Sequence, residues 1–560
     1  MPARRGAGPK RPSPVAGPPA VVVRGGGRLR LFFTARLETF RLVAAAASGL
    51  LLAAAYPPLE LGYLAWIALV PLGVAVRGAD GRRAARAGLL AGTVFWLLSL
   101  AWLNRVTTIG WGLLSLYCAL YFVPPALLAA RWPRPGAVPV WLSNVAFMIG
   151  WTAVWTGGEF LRGTLGTGFP WNPLGVSQFD NPPMIQGAAW GGVWAVSALV
   201  AWVNAGAIAT IRRYAEAAPQ RRWRQPHPEL MLAFLAVVGA FVHGWRSVAA
   251  LPPPDTTVRV ALIQPAIPQY AKWDEEFVAG IYERLVALSE AAQRAVRPEL
   301  LVWPETAVPG DVRNDEAAWA AVRAAIAGGA PLLAGALEVE RGDDGAPRYF
   351  NSALLIGADG AILETYDKQH LVLFGEYVPF SRRFPFLRRL TPAAYDVEPG
   401  GRATVFRAPR PDAPFASLIC FEDVFPYLSR RFARAGARWF INQTNDAWYD
   451  ISSGSRQHLA HAVFRCVETR RPMARAANTG ITGWIDVAGR IGGGSESEGG
   501  LLPHYTPDGG LAAGFLGADI PLLPADAPPT PYLRRGDLFA GATCAIALGM
   551  MILVLRPRRT

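Results

Sequence analysis

A carboxylate, a cation and a thiol stand in three short stretches of this 560-residue chain. They are Glu305 in Trp303-Pro304-Glu305-Thr306, Lys368 in Tyr366-Asp367-Lys368-Gln369-His370, and Cys420 in Ile419-Cys420-Phe421-Glu422-Asp423. Each stands at the end of a segment that reads as a β-strand. Strand ends hold groups rigidly while the adjoining loops leave room for substrate. A free thiol has a pKa of about 8.5, so a nucleophilic cysteine needs a base or a cation beside it. Glu305 can take the thiol proton. Lys368 can stabilise the thiolate and then the oxyanion of a tetrahedral intermediate, a donor worth about 2.7–4 kcal/mol of barrier. Acyl transfer requires these three roles. Taken singly, each residue has an ordinary reading as a packed Cys, a turn Glu or a surface Lys, and spacing alone does not assemble them.

The elements that must position them lie between residues 251 and 537. Strands are expected near 258–263, 300–303, 331–337, 350–356, 415–420, 437–442 and 473–477, with helices near 276–296, 315–327, 424–435 and 456–471. Strands interleaved with helices imply an α/β domain whose helices cover the sheet faces.

The rest of the chain is built for lipid. Hydrophobic residues make up 52% and charged residues 17%, with 20 Trp and a mean hydropathy of +0.22; soluble proteins carry nearer a quarter charged residues. Apolar runs at 42–55, 62–76, 88–104, 109–130, 138–158, 187–211, 229–249 and 538–555 predict about eight membrane spans, the first two short and separated by Tyr56-Pro57-Pro58. The first run reads as a span and not as a cleaved signal peptide, since no cleavage site follows. Arg and Lys crowd alternate loops, around residues 24–41, 77–86, 131–134, 212–224 and 556–559. With eight spans all of them fall on one side, which the positive-inside rule makes cytoplasmic. Both termini are then cytoplasmic and the 251–537 block periplasmic, in a bacterial inner membrane. Residues 1–41 read as a disordered basic tail, 42–250 as spans one to seven, and 538–560 as a final span with a short basic tail. The net charge of +14 brackets apolar runs instead of forming a stripe, which argues against nucleic acid.

The order Glu305, Lys368, Cys420, set in WPET, YDKQHLVLFGEYVPF and ICFEDVFP, resembles the nitrilase superfamily. The flanking spans resemble its membrane-bound branch, the apolipoprotein N-acyltransferases, and Gly168-Phe169-Pro170-Trp171 and Asn445-Asp446-Ala447-Trp448 are similar to that family too. The resemblance covers about residues 42–555. It implies an αββα sandwich with Glu305 as general base, Lys368 as oxyanion stabiliser and Cys420 as nucleophile. It implies that Glu376 supports the lysine, that Glu422 is an acidic residue of the pocket, and that Trp273 lies near a lipid entrance. Phe421 departs from the family, whose better-known members carry Tyr there, which puts any hydrogen bond of that hydroxyl in doubt. The implied reaction moves an acyl chain from the sn-1 position of a phospholipid, commonly phosphatidylethanolamine, through a Cys420 thioester to the α-amino group of a diacylglyceryl-cysteine on an apolipoprotein. No cofactor and no metal are implied, and a monomer is the default.

Residues 374–390 mix aromatic and basic side chains (Phe380, Arg382, Arg383, Phe384, Phe386, Arg388, Arg389), which suits a lid resting on headgroups; Trp448–Ser455 is a second candidate loop. His458 and His461, three apart on a helix, lack a third metal ligand and read as structural. Cys118, Cys466 and Cys544 read as packing residues. Glu159, near Arg162 at the edge of a span, is a functional candidate because charge there is costly. Two other functions compete. A tethered amide or nitrile hydrolase would let water resolve the thioester, and a transporter or scaffold would only bind; the spans favour lipid over the first and lack the paired charges of the second.

Overall fold

The apolar runs fold as helices. In the computed structural model, which describes residues 26–133, 138–216, 227–272, 274–343, 345–381, 383–386, 396–449, 452–492, 500–502, 506 and 510–556, five are long and apolar enough to cross a membrane. They are Arg36–Ala54, Thr108–Arg131, Val193–Ala215, Pro228–Ala249 and Leu538–Leu555. Gly81–Ser99 and Val140–Thr164 have comparable length but carry charged residues, and Gly62–Ala75 is short. The first helix begins at Gly26, so residues 26–41 are helical and the expected disordered tail is too long at that end. An established span extends cheaply, because elongation avoids the cost of nucleation. Arg41 on this extension is buried and donates to the Ala75 carbonyl.

Between the bundle helices and the last span lie eleven strands: Thr256–Gln264 (β1), Leu300–Val302 (β2), Leu332–Arg341 (β3), Pro347–Ile356 (β4), Ile362–Asp367 (β5), Phe415–Ile419 (β6), Trp439–Thr444 (β7), Met473–Ala477 (β8), Thr482–Ile485 (β9), Leu501–Leu502 (β10) and Gly514–Leu522 (β11). They form two sheets, ordered β11-β1-β2-β3-β4-β5 and β10-β9-β8-β7-β6. The pleat sends alternate side chains to opposite faces. In β1, Val258, Val260 and Leu262 meet the core shared with the second sheet, while Ala261 and Ile263 meet helices Glu275–Val296 and Glu316–Ile326. Helices Pro426–Arg434 and Gly454–Thr469 belong to the second sheet, which completes the αββα sandwich.

The ranges of β5, β9, β10 and β11 were not expected from sequence. β5 is an edge strand with one fully buried residue, so it leaves no apolar run, and β11 alternates buried with partly exposed positions and contains Gly, Asp and Pro. Helix Gly454–Thr469 is buried at every residue but Arg456, because the sheet lies on one side and the membrane bundle on the other. Gln457 binds both halves of the molecule. Its amide donates to the carbonyls of Pro57 and Ser99, both at 3.0 Å, and its oxygen accepts from the indoles of Trp171 and Trp102 at 2.7 and 3.2 Å. Arg456 pairs with Glu60 at 2.8 Å.

Candidate active site

Three strand ends converge. Glu305 follows β2, Lys368 follows β5 and Cys420 follows β6. The turn after β2 crosses β3 so closely that a Cβ on Gly335 would stand 2.1 Å from the Pro304 carbonyl oxygen; only glycine fits there. Cys420 starts a short 3₁₀ turn, Cys420–Val424, with φ of +51°. This left-handed conformation is uncommon for a residue with a side chain, and it lifts the thiol out of the line of the strand.

Lys368 Nζ lies 3.1 Å from Glu305 Oε1 and 2.9 Å from Glu376 Oε1, and it is almost fully buried. Asn351 on β4 donates to the same two oxygens, at 2.8 and 2.9 Å. The other oxygen of each carboxylate accepts a backbone N–H, from Asn445 at 2.9 Å to Glu305 and from Val372 at 2.8 Å to Glu376. Burial opposes the Lys368 ammonium, but the Glu305 and Glu376 carboxylates outweigh it and hold its pKa well above the ordinary lysine value. Burial would raise Glu305; Lys368, Asn351 and Lys272 pull it below the usual carboxylate range. The Cys420 thiol is pushed well up by burial and by Glu305, with Lys368 pulling the other way. The site therefore rests as carboxylate, ammonium and neutral thiol.

Glu422 supports the site from behind and not from within the pocket. Its Oε1 accepts from Gln369 N, Tyr366 Oη and His370 N at 2.7, 2.8 and 3.0 Å, and its Oε2 accepts from Ile419 N at 2.8 Å. One carboxylate thus ties the chain after Lys368 to the chain before Cys420. Phe421 packs between the two halves of the molecule, stacked on Trp171 and Phe169 with ring centroids 5.9 and 6.3 Å apart. That loop is held by Arg162, which donates to the carbonyls of Phe169 and Trp171, and by Gly168, whose φ is +76° and where a Cβ would stand 2.3 Å from the Gly163 carbonyl oxygen. Glu159 accepts from Trp155 and from Leu174 N. Trp273 lies outside the described residues, as do Arg382, Arg388 and Arg389 of the expected lid. Of the rest of that segment, Phe380, Phe384 and Phe386 are exposed.

Three features escaped sequence reasoning. Asn351 is a buried amide inside an apolar strand, which was its only signal. Lys272 is buried and donates to the Glu305 carbonyl at 3.1 Å and to Thr306 Oγ1; burial lowers its pKa to about 8. Beneath Cys420 lies a closed cluster of His458, Arg475, Asp423 and Asp446, all with side chains fully buried. His458 is structural, as expected. Among the described residues no group of His, Cys, Asp and Glu is arranged to hold a metal.

Residues 48–206 match the N-terminal domain of the apolipoprotein N-acyltransferases, and residues 259–502 match the carbon-nitrogen hydrolases. An apolipoprotein N-acyltransferase of Geobacter metallireducens is 37% identical over 527 residues, covering 91% of this chain and 94% of that protein. The chain belongs to the apolipoprotein N-acyltransferase family. Another member, from Brucella melitensis, is 32% identical over 499 residues, covering 83% of this chain and 90% of its own. Among solved structures, an amidase of the nitrilase superfamily from Nesterenkonia aligns with 52% of this chain and 99% of its own, at 19% identity and a TM-score of 0.35. The two matched regions of this family member meet at the Phe421 stack and along helix Gly454–Thr469.

Proposed function

We propose that this membrane enzyme transfers a fatty acyl chain from the sn-1 ester of a phospholipid, most simply phosphatidylethanolamine, to the α-amino group of the N-terminal diacylglyceryl-cysteine of apolipoproteins. Glu305 takes the proton from Cys420 Sγ as the sulfur attacks the ester carbonyl. Lys368 Nζ donates to the oxyanion. As the intermediate collapses, the ester C–O bond breaks, the proton on Glu305 passes to the leaving alkoxide, and lysophospholipid departs from a Cys420 thioester. The acceptor amine then attacks the thioester carbonyl and gives a proton to Glu305. The C–S bond breaks, the amide forms, and Sγ recovers its proton. Glu376 keeps Lys368 charged and aimed. Both substrates carry acyl tails, which accounts for a catalytic domain fastened to a helical bundle; the exposed Phe380, Phe384 and Phe386 suit contact with a lipid surface. We place the domain at 251–537 in the periplasm between eight spans, with both termini cytoplasmic, on the placement of basic loops.

The observation that carries the reading is the buried lysine held between two carboxylates, with Glu305, Lys368 and Cys420 each just past the end of a strand. The test is intact-mass measurement of the enzyme incubated with phosphatidylethanolamine, beside Cys420→Ala. A hydroxylamine-labile gain of one acyl chain, absent from the variant and discharged by a diacylated lipopeptide, is expected. Discharge by water alone would establish a hydrolase, and no adduct in active membranes would remove Cys420 as nucleophile.

A further inference from the structure

Cys420 is held in a conformation that residues other than glycine usually avoid, so something must over-determine it. On the chain before it, Glu422 binds Ile419 N. On the chain after it, the Cys420 carbonyl accepts from Asn442 Nδ2 at 3.1 Å and lies 3.2 Å from His458 Nε2. That imidazole is itself immobilised. Nε2 is 2.8 Å from Asp423 Oδ1, and Nδ1 is 3.1 Å from Asp446 Oδ1 and 2.9 Å from Arg475 Nη2. Arg475 in turn reaches Asp423 Oδ2 at 3.1 Å, Asp446 Oδ2 at 3.0 Å and Asn442 Oδ1 at 2.7 Å. None of these groups has a role in the acyl-transfer chemistry above, and burying two carboxylates, a guanidinium and an imidazole together is costly unless every partner is satisfied.

The helix that carries His458 is the one sandwiched between sheet and bundle. Successive helix residues point about 100° apart, so Gln457 enters the bundle while His458 enters the domain beneath the nucleophile. One turn on, His461 Nε2 accepts from Asn172 N at 3.2 Å, in the same loop that stacks on Phe421. We propose that His458 is a positioning residue for the nucleophile, and that the membrane bundle, by gripping Gln457, holds the Cys420 elbow in its reactive conformation through it. This rests on the reading of Cys420 as the nucleophile. The bundle then does more than deliver the domain to lipid, because it completes the support of the reacting residue.

The experiment uses the full chain in nanodiscs of phosphatidylethanolamine diluted into an inert lipid, with thioester formation on Cys420 followed by intact mass in single turnover. Wild type that forms no adduct would defeat the nucleophile reading, whatever the variants do. If wild type acylates, His458→Leu is expected to slow acylation at saturating phospholipid by about 10- to 100-fold, the scale of a small misplacement of a reacting group. The half-saturating phospholipid fraction should not move. His458→Gln keeps an N–H donor for the Cys420 carbonyl and should recover to within about threefold of wild type, since that carbonyl stays satisfied. Gln457→Leu, one residue away and outside the buried charge cluster, should lose rate in the same way, and it decides the matter if His458→Leu does not fold. The proposal is overturned if Gln457→Leu acylates at the wild-type rate. It is equally overturned if His458→Gln is no better than a folded His458→Leu, or if the losses fall on half-saturation instead of on the maximal rate.

Discussion

Replacing Glu422 by Gln separates a brace from a substrate contact. The native carboxylate accepts three backbone N–H groups, those of Ile419, Gln369 and His370, together with the Tyr366 hydroxyl, and donates nothing. An amide is the same size but supplies only one accepting oxygen. With that oxygen in the Oε1 position, Gln369, His370 and Tyr366 keep an acceptor, although a weaker, uncharged one. The NH₂ then faces Ile419 N–H at the 2.8 Å separation now held by an acceptor. Leaving one buried N–H unsatisfied costs about 1–3 kcal/mol, part of which is returned because burial already disfavours the charged carboxylate. A net loss of about 1–2 kcal/mol remains, which for a domain of this size lowers the melting temperature by about 2–3 °C. The strain falls on the two chain segments that set the distance between Lys368 and Cys420, so single-turnover acylation should slow by about tenfold. Thermal unfolding in detergent and single-turnover mass measurement are the assays. A Glu422→Gln enzyme with the wild-type melting temperature and a changed dependence on phospholipid concentration would refute the argument, because that is the signature of a carboxylate that touches substrate.

Asn351→Leu keeps the γ-branched shape of the side chain and removes, among the described residues, the donor that bridges Glu305 and Glu376 beside Lys368. Each lost bond to a carboxylate is worth about 1.5–3 kcal/mol, so acylation should fall at least about tenfold, and an unchanged rate would show that Lys368 alone organises the pair. Lys272 supplies a test by pH. Burial lowers its folded pKa to about 8 from an unfolded value of about 10.4. The folded chain therefore binds fewer protons in that window, and stability should rise from pH 8 towards 10 by up to about 3 kcal/mol relative to Lys272→Met. Melting temperatures of the two proteins that run parallel over this range would contradict a buried, depressed lysine.

Much of this protein was legible in one dimension because its strongest signals are local. A hydrophobic run long enough for a bilayer is a property of consecutive residues, as is the apolar strand that precedes each of Glu305 and Cys420. The ordered motifs around Glu305, Lys368 and Cys420 likewise sit in single stretches, which is why the sandwich was expected and the three residues could be singled out together. Tertiary structure decided whatever depends on residues distant in sequence. The edge strands β5 and β11 acquire their identity from neighbours and not from an apolar run. Asn351 matters because β4 lies beside the ends of β2 and β5, and Lys272 because its ammonium reaches a turn 33 residues away. Glu422 sits two residues from Cys420 yet points at the chain after Lys368, 53 residues earlier. Gln457 and His458 look alike as polar neighbours on a helix, and only the bundle on one side and the nucleophile on the other give them separate partners. Sequence determines which groups are present and which segments are apolar; the buried polar contacts that aim those groups exist only once the chain has removed them from water and left each one a fixed set of partners.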